Sequence, residues 1–500
     1  MRLSTLVDIV GERRILGHDV DVEGLAYDSR EVKPGDLFVA IKGFVHDGHD
    51  FAADAVRRGA VAVMVEREVD VPREVPIVMV PSTRRALGLV AASFYGHPSK
   101  ELGVIGVTGT NGKTTTTHLV KAVLEGAGHK VGLIGTVHVL IGNEVLPVER
   151  TTPEALDLQR FLRSMVDAGC EYAVLEVSSH ALELHRVTGC EFDVGILTNI
   201  TQDHLDFHGT FERYREAKER LFTGLGRTYY GARKAMPSGA VLNWDDPSGR
   251  VIARGVRVPV LGFGTSSEAS LRAEDISVSA DGSQFTAVLP GGERERISLR
   301  LTGRFNVYNA LAALGAGLIL GVPAGVCARA LEGATQVQGR FQLVDGGQEF
   351  AVIVDYAHTP DGLENILNTA KEFARGRIIC VFGCGGDRDR SKRPIMGRIA
   401  ATLADEVIVT SDNPRSEDPA GIAEEIVEGI RGLGSGAAPH TVILDRRAAI
   451  NHAIEMAERD DVVIIAGKGH ETYQIFRDRV VPFDDREVAR EAVQRRTGLI

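Results

Sequence analysis

Cysteine is scarce. There are five in 500 residues, at Cys170, Cys190, Cys327, Cys380 and Cys384, odd in number and without a Cys-x-x-Cys pair. That pattern excludes a disulfide framework and the usual zinc spacing. Long apolar runs are also missing: nothing reaches the ~20 residues of a membrane span. The opening Met1-Arg-Leu-Ser-Thr-Leu6 lacks the apolar stretch of a signal peptide. No membrane insertion is expected, and the cytoplasm is the expected compartment. Positive charge is not in excess either, since 57 Lys and Arg face 68 Asp and Glu for a net −11. This argues against a general nucleic-acid or anionic-membrane binder, so an anionic substrate needs a local basic pocket. With no low-complexity tract and no short-period repeat, disorder, solenoids and propellers are set aside.

What is present reads as α/β. A chain of this length exceeds one hydrophobic core, and apolar runs alternate with helical stretches throughout. Short strands such as Asp36–Ile41 and Val61–Val65, with a helix near Phe51–Gly59, give a small N-terminal α/β domain over residues 1–99. The punctuation Tyr95-Gly-His-Pro-Ser-Lys100 ends it. A central P-loop-type domain over 100–337 follows the βαβ rhythm of a mostly parallel sheet. Alternating runs between Val241 and Arg300 predict an antiparallel extension. From 338 to 500, strands at Phe350–Asp355, Ile378–Phe382, Glu406–Val409 and Val462–Ile465 predict a Rossmann-like parallel α/β domain.

The chemistry begins at Val104-Ile-Gly-Val-Thr-Gly-Thr-Asn-Gly-Lys-Thr-Thr115. Glycines and a Lys-Thr pair lie between an apolar strand and a helix, the context of a phosphate cradle. Gly109, Thr110, Asn111 and Gly112 bring backbone N–H groups to the phosphates at a helix N-terminus. Lys113 reaches the β/γ oxygens, and the hydroxyls of Thr114 and Thr115 follow, with Thr114 placed to ligate Mg²⁺. Val107 stands where the common pattern has its first glycine. No guanine-reading Asn-Lys-x-Asp segment is apparent, so ATP is the expected nucleotide. Glu176 ends the strand Tyr172–Val177, where ligands gather beyond parallel strands, and is a candidate Mg²⁺ ligand. His204 follows the next strand. On the helix Thr210–Phe222, Tyr214, Lys218 and Leu221 share one face. By periodicity alone, Lys218 is a snorkelling lysine. Gly383-Cys-Gly-Gly-Asp387 follows a strand but lacks the third glycine of a dinucleotide fingerprint.

Six ordered segments carry a resemblance over nearly the whole chain: Gly109–Thr114, Glu176-Val-Ser-Ser-His180, Asn199–Asp206, Tyr214-Arg-Glu-Ala-Lys218, Gly303–Asn309 and Asp355-Tyr-Ala-His-Thr-Pro360. The chain resembles the Mur ligases of peptidoglycan precursor synthesis and their folylpolyglutamate synthase relatives. The resemblance implies an ATP-dependent amide ligase in which Lys218 is carbamylated to N6-carboxylysine. Two Mg²⁺ would then be held by Thr114, Glu176, His204 and Lys218, with Lys113, His204 and Lys218 serving catalysis. It also implies Asn306 or Asn309 near the adenine, and Arg340 near the phosphates.

Within the family, Tyr27-Asp-Ser-Arg30 and Gly43–Gly48 look like a uridine-nucleotide pocket that includes Ser29. Thr151, Thr152, Ser178 and Arg186 look like contacts to UDP-N-acetylmuramoyl-L-alanyl-D-glutamate. At Leu184 relatives can carry glutamine. Asp412-Asn-Pro-Arg415, with Arg388, Gly467 and Glu471, resembles the recognition site for meso-diaminopimelate. Arg415 offers a planar fork for a distal carboxylate that lysine lacks. The implied partners are these two substrates and ATP, and a monomer is expected. A lysine-adding or folate-type ligase is the nearer alternative. A regulatory P-loop NTPase, which would hydrolyse ATP without an amino acid, is the more distant one.

Overall fold

In the computed structural model, residues 1–142, 144–148, 150–279 and 282–498 are described. They build three main sheets. The first has the order Arg14–Leu16, Ile77–Met79, Ala62–Val65, Asp36–Val39, Gly24–Ala26, parallel except for its first pair. Asp36–Val39 and Ala62–Val65 are buried at every position, as strands covered on both faces should be. The helix expected near Phe51–Gly59 runs Ala52–Arg57 behind a 3₁₀ turn, Gly48–Phe51.

The second sheet has eleven strands, with Gly103–Thr108 between Val194–Leu197 and Tyr172–Glu176. All three run parallel. Two details differ from the expected layout. Gly239–Asn243 and Val260–Gly264 belong to the parallel part, so the antiparallel extension is confined to Leu271–Ser279, Gly282–Val288 and Arg294–Leu299. Gly239–Asn243 is buried throughout, so its run reflects two-sided burial and not a one-sided hairpin. At the opposite edge, Val139–Ile141 and Glu144–Leu146 add antiparallel strands that their short length hid.

Helix Lys113–Gly126 leaves the central strand of this sheet. It opens on Thr114–Thr117, all buried, although β-branched residues are mediocre helix formers. A tertiary contact offsets that, Thr116 Oγ1 donating to Asn309 Oδ1 at 3.2 Å, while Thr117 Oγ1 bonds back within the helix to Thr114 O at 2.8 Å. Asn309 lies on Arg304–Ile319, a helix apolar nearly all round and buried accordingly.

The third sheet runs Gln342–Leu343, Ala351–Asp355, Val462–Ala466, Ile378–Phe382, Glu406–Val409, His440–Val442, parallel apart from its first strand. Beneath its loops, the fully buried Arg446 pairs with both oxygens of the fully buried Asp485, at 2.8 and 2.7 Å. The same guanidinium donates to Ala466 O at 3.0 Å and Ser411 O at 3.3 Å. Asp485→Ala leaves that charge buried without its partner and is expected to destabilise the chain by ~3–5 kcal/mol. The measurement is urea unfolding, where the midpoint should fall with the slope unchanged. The five cysteines are free and buried.

Candidate active site

The loop between strand Gly103–Thr108 and its helix is shaped by two glycines. Gly109 has φ +149°, and a Cβ there would lie 1.8 Å from Thr198 Oγ1; Gly112 has φ +84°, with Asn309 Oδ1 2.5 Å from its would-be Cβ. Neither place admits a side chain. Val107 is buried in the strand and pairs with both neighbours, so the strand continues where other phosphate loops have already turned. Thr110 N donates to Asn199 O at 2.8 Å and Asn111 N to Asn199 Oδ1 at 3.0 Å, which fastens the loop to the segment after the next strand.

Thr114 Oγ1 lies 3.1 Å from Glu176 Oε2. Glu176, fully buried, also accepts from Thr136 N at 2.8 Å and Thr136 Oγ1 at 2.9 Å. Hydroxyl and carboxylate oxygens are the hard donors Mg²⁺ takes, and phosphate and water would complete its octahedron. Among the described residues, no three His, Cys, Asp or Glu side chains converge as a metal cluster. His204 caps the short helix Leu205–His208 in a left-handed conformation, φ 53°. Partial loss of hydration lowers the pKa of its imidazole, against the opposing charge of Asp203, and 43% of the side chain stays exposed at the cleft; the neutral ring offers a nitrogen lone pair to a metal.

Lys218 is 1% exposed, which removes it from the snorkelling class. Its Nζ donates to Gly109 O at 2.8 Å and lies 4.6 Å from the Tyr214 ring centroid. Burial, and then the charge of Lys113, hold it well below the ordinary lysine value, with Asp203 opposing. Lys113 itself donates to Gly109 O and Thr110 O, both at 2.9 Å, so two lysines share one carbonyl.

Across the cleft, Arg340 donates to Thr114 Oγ1 at 3.0 Å and stacks over Tyr356 at 4.6 Å. Asn111 Nδ2 donates to Asp361 on the helix Pro360–Phe373. Together these elements enclose a cavity of about 490 Å³ whose lining includes Lys113, Thr114, Glu176, Asn309, Arg340 and Tyr356. That is within the usual size of a small-molecule site. Asn309 faces this cavity. Asn306 is a layer behind, accepting from Asn309 Nδ2 at 3.0 Å and donating to Thr302 O at 2.9 Å.

A second cluster lies at the C-terminal ends of the third sheet. Asn413 Nδ2 donates to Glu471 Oε2 at 2.8 Å, and buried Lys468 donates to Asn413 Oδ1 and Glu471 Oε2, both at 3.1 Å. Asp412 and Pro414 are buried beside them, and a Cβ on Gly467 would lie 2.5 Å from Asp412 Oδ2. Arg415 takes a left-handed φ of 52°, and its guanidinium donates to Gly386 O at 2.8 Å. Burial, then the charge of Arg388, push the Arg415 guanidinium down from its ordinary value. The carboxylates of Asp412, Glu471 and Asp387 oppose that shift.

Family models match in chain order: Mur ligase family, catalytic domain, at 21–95; Mur ligase middle domain at 107–317; and Mur ligase, glutamate ligase domain, at 339–469. The UDP-N-acetylmuramoyl-L-alanyl-D-glutamate–2,6-diaminopimelate ligase of Geobacillus thermodenitrificans is 50% identical over 497 residues, covering 99% of this chain and all of that one. The chain belongs to the Mur ligase family. The Bacillus cereus ligase of the same name is 48% identical, covering 99% of this Mur ligase and 98% of its own length. A solved structure of a protein with that name is 35% identical, with TM-score 0.67 and 95% of each chain covered. A Thermotoga maritima MurF ligase in complex with ADP shares the fold at 22% identity, with TM-score 0.64.

Of the remaining expected residues of this Mur ligase, Thr151 and Ser178 line the same cavity. Thr152 Oγ1 donates to Glu176 O at 2.8 Å and accepts from Ser178 N at 3.1 Å; Thr151 Oγ1 lies 3.1 Å from Thr136 Oγ1, whose own proton goes to Glu176. Arg186 NH1 lies 3.3 Å from Thr152 O. Leu184 is half-buried on the turn that leads to it, and Ser29 is buried in the 3₁₀ turn Ser29–Glu31 of the first sheet unit. Sequence reasoning passed over Thr136, Asp361 and Lys468. Thr136 carries no motif at all, whereas Asp361 follows the segment Asp355–Pro360 and Lys468 lies between the expected residues Gly467 and Glu471. Among the described residues, no helix is long and apolar enough to cross a membrane.

Proposed function

We propose that this enzyme joins the amine of meso-2,6-diaminopimelate to the D-glutamyl carboxylate of UDP-N-acetylmuramoyl-L-alanyl-D-glutamate, at the expense of ATP. The observation that carries the reading is near-half identity, end to end, to ligases of that name. The planar guanidinium of Arg415, suited to a distal carboxylate, supplies its chemical reason.

A carboxylate does not acylate an amine in water, so the glutamyl oxygen first attacks the γ-phosphorus. A new P–O bond forms, the bond to ADP breaks, and an acyl phosphate results. The diaminopimelate nitrogen then attacks the acyl carbon. The C–N bond forms, the C–O bond to phosphate breaks, and a proton leaves the nitrogen.

Gly109–Thr115 cradle the triphosphate, and Lys113 turns from its loop carbonyls to the transferring group. Arg340 meets the phosphates from the opposite wall, and Asn309 lies towards the base. Thr114, Glu176, neutral His204 and carbamylated Lys218 would hold two Mg²⁺. When bound, the ions supply charge neutralisation at the phosphoryl oxygens. Thr151, Thr152, Ser178 and Arg186 orient the dipeptide, with Ser29 at the uridine end. Asp412, Asn413, Pro414 and Gly467 shape the amino-acid pocket, Glu471 accepts the distal ammonium, and Arg388 with Arg415 hold the distal carboxylate. Closure of the sheet units over the bound substrates would keep water from the acyl phosphate. The protein is taken to work as a monomer in the cytoplasm, a reducing compartment that suits five free thiols.

ADP release, followed with each amino acid in turn, tests the reading. The expected result is release with meso-diaminopimelate and the uridine dipeptide together. Release with lysine in its place overturns the amino-acid assignment, and release without any amino acid favours a regulatory NTPase.

A further inference from the structure

Glu154 presents an unexpected charge. It is 6% exposed, beside the Thr151-Thr152 segment assigned to an anionic substrate, where a carboxylate should repel. It precedes helix Ala155–Asp167 at the N-cap position, yet its side chain makes no capping bond. Its oxygens face three guanidiniums drawn from separate parts of the chain. Arg150 NH1 donates at 2.8 Å, Arg84 NH1 at 3.4 Å, and Arg186 Nε lies 3.0 Å away. The Arg186 contact is an ion pair not aligned as a hydrogen bond, and that buried nitrogen has no hydrogen-bond partner.

Arg84 belongs to the first sheet unit, on helix Thr83–Phe94, and its other nitrogens donate to Lys42 O at 2.9 and 3.2 Å. Lys42 adjoins Gly43–Gly48, the loop read as part of the uridine pocket. Three cations around one carboxylate leave two positive charges in excess. Without Glu154 they would repel one another, and Arg186, long and rotamer-rich, would leave its place under Thr152 O.

We infer that Glu154 is a positioning residue for the uridine dipeptide: it gathers Arg186 and Arg150 into an anion-accepting cluster and ties that cluster through Arg84 to the uridine loop. This rests on the proposed reading of Arg186 as a dipeptide contact. The inference has a sign opposite to simple charge counting, in which deleting an acidic group beside an anionic substrate strengthens binding.

The test is steady-state kinetics of the full enzyme with Glu154→Gln and Glu154→Asp, each substrate varied in turn, and Arg186→Ala alongside. The expected result is a KM for the uridine dipeptide raised about tenfold in Glu154→Gln. KM for ATP and for diaminopimelate should move less than about twofold, and Glu154→Asp should recover part of the loss. Thermal melting of each variant separates this from misfolding, because a globally loosened protein would shift all three KM values. An unchanged or lowered dipeptide KM in Glu154→Gln, with Arg186→Ala raising it, overturns the positioning role alone. An unchanged dipeptide KM in Arg186→Ala overturns both that role and the reading of Arg186 on which it rests.

Discussion

Lys218→Ala is expected to lower kcat by ~10²–10³-fold, the scale of removing one preorganised charge-stabilising group. KM for the uridine dipeptide should change far less. The reasoning starts from burial. A lysine 1% exposed, sharing the Gly109 carbonyl with Lys113, has its ammonium disfavoured twice, by lost hydration and by a like charge. Only the neutral amine captures CO₂. Its nitrogen bonds to the carbon, a proton leaves, and the product is an anion that attracts Lys113 where the ammonium repelled it. Formate or acetate, entering the space left by the deleted side chain, should restore part of the rate in Lys218→Ala. Intact mass should show the wild-type chain heavier by one CO₂ when measured under conditions that preserve carbamates. A Lys218→Ala enzyme as fast as the wild type would remove the carbamate from the mechanism.

Arg415→Ala should raise KM for diaminopimelate on the order of 10²–10³-fold, from ~2–5 kcal/mol for truncating one partner of a buried charge pair. KM for ATP should stay where it was. The position is fixed by backbone: a left-handed φ of 52° in a residue with a Cβ is held by its surroundings, here by Arg415 N donating to Ile475 O at 3.0 Å. That turn sends the guanidinium across to Gly386 O, next to the charge of Arg388. Arg415→Lys keeps a cation but loses the planar fork, so its KM should fall between the two. Discrimination against lysine as substrate should weaken in both variants. An unchanged diaminopimelate KM in Arg415→Ala would place the distal carboxylate elsewhere.

Strand and helix patterning exposed most of the architecture in the sequence because buried parallel strands are continuous apolar runs. Gly103–Thr108 and Val462–Ala466 are buried at every position, and each stands out for that reason. The same property misled at Gly239–Asn243, where a short buried run cannot be told from one face of a hairpin. In the site, the phosphate loop was legible because strand, glycines, lysine and threonines are contiguous. Lys218 was not. Its helix periodicity describes only which face it shares, and its burial depends on Gly109, more than a hundred residues away. Glu154 and Thr136 were silent for a similar reason: each acquires meaning from partners that folding brings to it, and neither lies in a motif. Asn306 and Asn309 read alike in sequence, and only packing separates the one that faces the cavity from the one behind it.

The buried thiols bear on how the protein can be handled. Only a thiolate reacts readily with alkylating and oxidising reagents, and burial pushes Cys190, Cys327, Cys380 and Cys384 up to about 12. Cys170 is buried as well. The native background is therefore close to inert towards maleimides. One exposed cysteine introduced into the first sheet unit and one into the third would be the fast-reacting positions, and a fluorophore pair placed there would report the distance between the two units during turnover.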